Sequence, residues 1–338
     1  MTHPWNRAIW AQLPAFDRLA PVLLLTGPEG VGKGSFALAL AKALLCRTPT
    51  AEREACGACA PCRLYDSGNH PDFRLLEPAS AEEDDSGGEE APPKGKTGGA
   101  SRWIRIGAVR DLADLLVLSA HLAGRKVVVI RPADRLHPNA ANALLKVLEE
   151  PPAATHFLLV TGQPATLPAT VRSRCVRLLF GLPAPEVSIG WLRGQGARQP
   201  ELALAQAGFA PLGALALDSP EYWAARSTLI EEVLSRPDLD PVAAVDRLGA
   251  EQLPLLVGGL QRWCYDLLAL LSGGAVRYNP DCAQILHRQS ARVTKGPLLR
   301  FSRELLGVAR WLEHPLNARL AAERCLIGYR SAIGGSDA

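Results

Sequence analysis

Four cysteines lie close together in the chain. Cys46 is followed after nine residues by Cys56, Cys59 and Cys62, the last three at two-residue gaps. Such gaps let a tight turn aim successive sulfurs at one ion, and four thiolates suit a tetrahedral zinc site. A redox pair or a chance grouping is the competing reading. Just upstream runs Gly27-Pro28-Glu29-Gly30-Val31-Gly32-Lys33-Gly34-Ser35, the pattern of a phosphate loop. Its glycines allow backbone N–H groups to wrap a phosphate, and Lys33 can reach the outer phosphates of ATP or ADP. The next residue should be Ser or Thr, to ligate magnesium. Here it is Gly34, and Ser35 comes one place late. Both a nucleotide site and a relic loop kept for its shape stay open. A third candidate is Arg174 in Ser173-Arg174-Cys175, with Arg172 as the fallback. A lone arginine at a helix end ordinarily meets solvent or the helix dipole.

These groups need elements to hold them. Val22–Thr26 and residues 127–130 and 156–160 are apolar runs that suit strands buried on both faces of a parallel sheet. A helix is expected over residues 36–45. A second begins at Pro138, carries Ala140, Ala141, Leu144, Leu145, Val147 and Leu148 at helical spacing, and stops at Pro151-Pro152. A short helix follows from Leu167-Pro168. The order is βαβ, so the fold class is α/β. Residues 4–18 read as a helix with Trp5, Ile9, Trp10 and Leu13 on one side, and 111–120 as another. Composition shifts at Phe180, and residues 182–185 look like a linker. Helices are expected at 186–192 and 200–207, then 222–235, Pro241–Leu248, Leu253–Leu271, 282–290, 297–312 and 316–333. In Leu253–Leu271 apolar residues nearly encircle the helix, which places it deep in a bundle, with Trp263, Tyr265 and Leu267 in core or interface.

With 338 residues, more than one domain is expected. Hydrophobic residues make up 48%, enough for a full core, and a net charge of +3 is too small to argue nucleic-acid binding. No apolar run approaches the roughly 20 residues of a membrane span, and the opening MTHPWNRAIWAQL has no signal-peptide core. A cytoplasmic chain without membrane contact is expected, so disulfides are disfavoured. Cys175, Cys264, Cys282 and Cys325 then read as core thiols. Residues 79–101 hold acids, lysines and small residues with no aromatic or branched apolar side chain. They read as a disordered acidic insertion.

Residues 139–146 (NAANALLK), 148–152 (LEEPP) and 173–175 (SRC) resemble the AAA+ subunits of the bacterial DNA polymerase III clamp loader. The resemblance covers nearly the whole chain apart from 79–101, with its most specific motifs between residues 22 and 177. It implies a P-loop AAA+ domain over 1–180 with a structural zinc module at 46–62, a small helical lid domain over 181–220, and an all-helical collar for oligomerisation over 221–338. It also implies that Arg174 is an arginine finger, acting in trans on a neighbouring ATP site. An active motor of this class needs acids at the end of the strand before Arg131, yet Arg131, Pro132, Ala133 and Asp134 stand there. Arg131 would repel magnesium. Residues 208–215 also lack the second nucleotide-sensing arginine of active relatives. The expectation is an accessory subunit of a DNA-directed DNA polymerase (a nucleotidyltransferase complex) with no ATPase of its own. Implied partners are gamma or tau ATPase subunits and a delta subunit in a heteropentamer, and through them the sliding clamp and primer-template DNA. An active AAA+ motor of the same machine is the alternative. A zinc-dependent nucleic-acid-binding module is disfavoured, because aromatics are 6% and Lys/Arg do not cluster beside the cysteines.

Overall fold

The computed structural model describes residues 2–78, 103–117, 120, 122, 124–236, 238–312 and 317–334. The expected insertion at 79–101 lies outside these described residues. The chain divides into two compact units, Met1–Pro183 and Ala184–Ala338.

In the first unit, helix α1 (Arg7–Gln12) precedes strand β1 (Val22–Thr26) and helix α2 (Lys33–Leu45). Then come α3 (Ala60–Asp66), β2 (Phe73–Leu76), α4 (Ile106–Val117), β3 (Lys126–Ile130) and α5 (Pro138–Glu149). Strand β4 (Thr155–Thr161), the short α6 (Ala169–Arg172) and β5 (Val176–Leu179) complete it. The five strands form one sheet in the order β2-β3-β4-β1-β5, every pair parallel. Strands β1, β3 and β4 are buried along their whole length, as a sheet covered on both faces requires. Helix α5 lays Ala140, Ala141, Leu144 and Leu148 against Val22, Leu24, Val128, Ile130, Phe157 and Leu159. Successive side chains alternate across a strand, so Leu23, Leu25, Val127, Val129 and Leu158 face the other way. Helix α2 packs on β3 and β4, with Phe36, Ala37, Leu40, Ala41 and Leu44 fully buried.

The second unit is all helix. Helices α7 (Pro185–Gly194), α8 (Pro200–Gln206) and α9 (Pro211–Leu217) close on a small cluster of Leu192, Ala203, Leu204 and Ala214. A larger cluster unites α10 (Pro220–Leu229, continued as a wider turn over Ile230–Leu234), α11 (Pro241–Leu248), α12 (Leu253–Leu271), α13 (Ala283–Ser290), α14 (Lys295–Trp311) and α15 (Ala318–Ile333). Helix α12 lies at its centre, touching α10, α13, α14 and α15. Trp263 and Leu267 are fully buried, while Tyr265 is 45% exposed.

Several sequence expectations need correction. The first helix ends at Gln12, not 18, because Leu13 precedes Pro14 and is driven to extended backbone. Helix α4 begins at Ile106, not 111, since Ile106, Val109 and Leu112 already share one face against α5. Strands β2 and β5 were not expected. Each has four residues and forms a sheet edge, and neither carries a buried run. Cys264, Cys282 and Cys325 are buried, but Cys175 is half-buried.

Asp266 of α12 is fully buried. Its carboxylate accepts from the backbone N–H groups of Arg277, Tyr278 and Asn279 and from the Asn279 amide, at 2.8–3.2 Å. Asn279 also accepts from Gln206 and Arg226, and Arg226 pairs with Asp281. These bonds tie α8 and α10 to the turn after α12. Asp266→Ala strands the donors in the interior, and we expect a loss of roughly 2–4 kcal/mol in a urea unfolding titration of the chain.

Candidate functional site

Strands β1, β3 and β4 run in one direction, so Gly27, Arg131 and Gly162 follow their carboxyl ends at the same edge of the sheet, where α/β sheets bind ligands. The phosphate loop fills the gap between Thr26 and Lys33. Glycine is required at two points of it. A Cβ on Gly27 would lie 2.1 Å from the Phe180 carbonyl oxygen, and Gly32 has φ +87° with His3 2.5 Å from the position of a Cβ. The N-terminal residues brace the loop from outside. Trp5 Nε1 and Asn6 Nδ2 both donate to the Val31 carbonyl, at 2.9 and 3.0 Å, and His3 stacks on Trp5. Lys33 Nζ donates to the carbonyls of Gly27 (2.8 Å) and Pro28 (2.6 Å). Burial lowers its pKa, and the Glu29 and Asp134 carboxylates oppose that shift. Gly34 is beside Arg131, and the Ser35 hydroxyl turns back to the Gly32 carbonyl at 3.0 Å.

The two departures in the magnesium machinery meet in space. A Cβ on Gly34 would lie 3.4 Å from Arg131 Nη1. The guanidinium therefore borders the place where a Ser or Thr hydroxyl would project. Arg131 Nε is anchored by Glu77 at 2.7 Å. Asp134 accepts from the Thr161 hydroxyl, and Thr161 in turn accepts from the Gln163 N–H at 2.9 Å.

The cysteines converge. Cys46 directly follows α2, Cys59 precedes α3, Cys62 sits in its first turn, and Gly57 turns the chain between them with φ +72°. All four sulfurs lie within 4.8 Å of one another. The Cys46–Cys59 and Cys56–Cys62 sulfurs are 3.9 and 4.0 Å apart. Tetrahedral zinc with Zn–S near 2.3 Å puts sulfurs about 3.8 Å apart, so the four fit such an ion. Hydrogen bonds from Thr48 and from the N–H groups of Ala58 and Cys59 hold the Cys56 thiol down at about 5, while burial pushes Cys62 up to about 12. A bound divalent cation would deprotonate all four. His70 accepts from the Asp72 N–H at 3.1 Å and stays out of the cluster.

Arg174 lies just past α6. That helix has four residues and is anchored by the fully buried Val171. Its orphan carbonyls are met by its own continuation. The Ser173 hydroxyl donates to the Thr170 carbonyl and the Cys175 thiol to that of Val171, each at 3.1 Å. Arg174 is thus held on the rim of the turn with its side chain 31% exposed. Its Nη1 donates to the Thr170 carbonyl at 2.7 Å, and its Nη2 pairs with Glu149 at the end of α5. Glu77, Glu149 and the His3–Asn6 brace escaped the reading of the sequence. Glu149 did carry a signal, since a carboxylate at a helix C-terminus is locally unfavourable.

The family model described as "DNA polymerase III, delta subunit" matches residues 7–183. The delta-prime subunit of DNA polymerase III from Pseudomonas aeruginosa is 36% identical, over 79% of this chain and 77% of its own length. The delta-prime subunit from Escherichia coli is also 36% identical, over 82% and 80%. The crystal structure of a gamma-subunit-related protein from Thermotoga maritima aligns over 94% of this chain and 97% of its own, with 19% identity and a TM-score of 0.45. The family match over residues 7–183, which holds the phosphate loop, the cysteine cluster and the Ser-Arg-Cys turn, together with the two delta-prime relatives, places the chain in the family of DNA polymerase III delta-prime subunits.

Proposed function

We propose that this chain is a clamp-loader subunit that does not hydrolyse ATP itself and lends Arg174 to the ATP site of a neighbouring subunit. The observation that carries this reading is Arg131 beside Gly34. Hydrolysis in a P-loop motor needs a hydroxyl and an acid to hold magnesium, and a second acid to polarise water. At those three positions this chain has Gly34, Arg131 and Pro132. A guanidinium anchored by Glu77 repels a divalent cation. The loop can still offer Gly27, Gly30, Gly32, Lys33, Gly34 and Ser35 to the phosphates of ATP or ADP.

In this reading residues 1–180 are the AAA+ domain, 181–220 the lid and 221–338 the collar through which the ring assembles. The partners are gamma- or tau-type ATPase subunits and a delta subunit in a cytoplasmic heteropentamer that opens the sliding clamp and sets it on primed DNA. Zinc, held by Cys46, Cys56, Cys59 and Cys62, fixes the hairpin between α2 and α3 and takes no part in chemistry. Arg174 acts on a γ-phosphate brought to it by the neighbour, offsetting charge that develops in transfer. None of its hydrogen bonds among the described residues goes to the chain's own phosphate loop.

Two measurements test this. The isolated chain should not turn over ATP. In the reconstituted loader, stimulated by clamp and DNA, Arg174→Ala should lower turnover at the facing site by roughly 10³. ATP hydrolysis by the isolated chain, with no effect of Arg174→Ala in the ring, would make it a motor. For the metal, chain purified without chelator should carry zinc in equal amount. Cys59→Ser with Cys62→Ser should lose the zinc and melt at lower temperature, and an unchanged melting temperature in a metal-free chain would remove zinc from the account.

A further inference from the structure

Glu149 is the last residue of α5, where the partial negative charge of the helix end disfavours a carboxylate. The Pro151-Pro152 pair behind it fixes where the helix stops. What Glu149 meets is Arg174 Nη2, 25 residues on. The same guanidinium gives Nη1 to the Thr170 carbonyl. Nη1 also gives a longer bond, 3.4 Å, to the Ser173 hydroxyl, so contacts on both terminal nitrogens fix the plane of the group. Each terminal nitrogen of an arginine carries two N–H donors, so Nη2, with one N–H given to Glu149, keeps one to offer outward. Arg174 is 31% exposed and Glu149 48%. Such an exposed pair adds little to stability, so a stabilising role does not account for it.

We propose that Glu149 is the positioning residue for Arg174: it holds the guanidinium extended and oriented before the neighbour's phosphate arrives. This rests on the trans-acting reading of Arg174. Without Glu149 the side chain keeps only its Nη1 contacts with the Thr170 carbonyl and the Ser173 hydroxyl, and Nη2 is left free to swing. The loss falls on the chemical step, because the missing quality is orientation at the reacting phosphate.

The test is a double-mutant cycle in the reconstituted loader, with ATP hydrolysis followed in single turnovers so that other sites do not dilute the effect. Glu149→Ala should slow the step roughly 10–100-fold and leave KM for ATP within about twofold. Glu149→Gln should recover most of the rate, because its amide oxygen still accepts from Nη2. In an Arg174→Ala background, Glu149→Ala should add nothing. Ring assembly and melting temperature should match wild type throughout. If Arg174→Ala slows hydrolysis but Glu149→Ala does not, the positioning role falls and the finger stands. If Glu149→Ala slows it equally with and without Arg174, Glu149 acts on something else and the role falls again. If Arg174→Ala itself changes nothing, both readings fall together.

Discussion

Three adjacent parallel strands, each buried from end to end, are the constraint on which the first unit rests. A strand with both faces covered cannot shift by one residue without setting polar ends into the core. The register Leu24 opposite Leu159, and Val128 opposite Phe157, is therefore fixed by apolar burial as well as by the backbone ladder. Because the strands are parallel, their three exits fall on one edge. The phosphate loop, Arg131 and Thr161 are neighbours for that reason, although up to 134 positions separate them in the chain (27 to 161). The edge strand β5 adds the last restraint, since the Phe180 carbonyl closes on Gly27.

At that edge four polar side chains find partners within the chain. Lys33 is met by two carbonyls, Arg131 by Glu77, Asp134 by Thr161, and Ser35 by Gly32. Buried polar groups require partners, and here the chain supplies them internally. The same holds around Asp266 in the second unit, where a carboxylate, an amide and a guanidinium bind helices whose apolar clusters are separate. Both networks give direction where apolar packing alone gives only proximity.

What the sequence made legible follows the same physics. Long apolar runs and capped helices were readable, and Pro241–Leu248 and Leu253–Leu271 fall where periodicity puts them. The cysteines were readable because their spacing is local. The edge strands Phe73–Leu76 and Val176–Leu179 were not. Each has an arginine at its second position and leaves most of its side chains partly or fully in solvent, so neither period nor buried run marks them. Glu77, and the partner of Glu149, were hidden for another reason. The paired Arg131 and Arg174 are 54 and 25 residues away, and pairing at such range is set by the sheet, not by any local pattern.

The contact between Gly34 and Arg131 also constrains how the chain can change. Adding a hydroxyl-bearing side chain at 34 brings its Cβ to 3.4 Å from the guanidinium while the cation still guards the spot. Replacing Arg131 by an acid leaves that acid opposite Glu77, its former partner at 2.7 Å, and still without a hydroxyl at 34. Neither replacement alone therefore assembles a metal site: a hydroxyl at 34 faces a cation, and an acid at 131 faces Glu77.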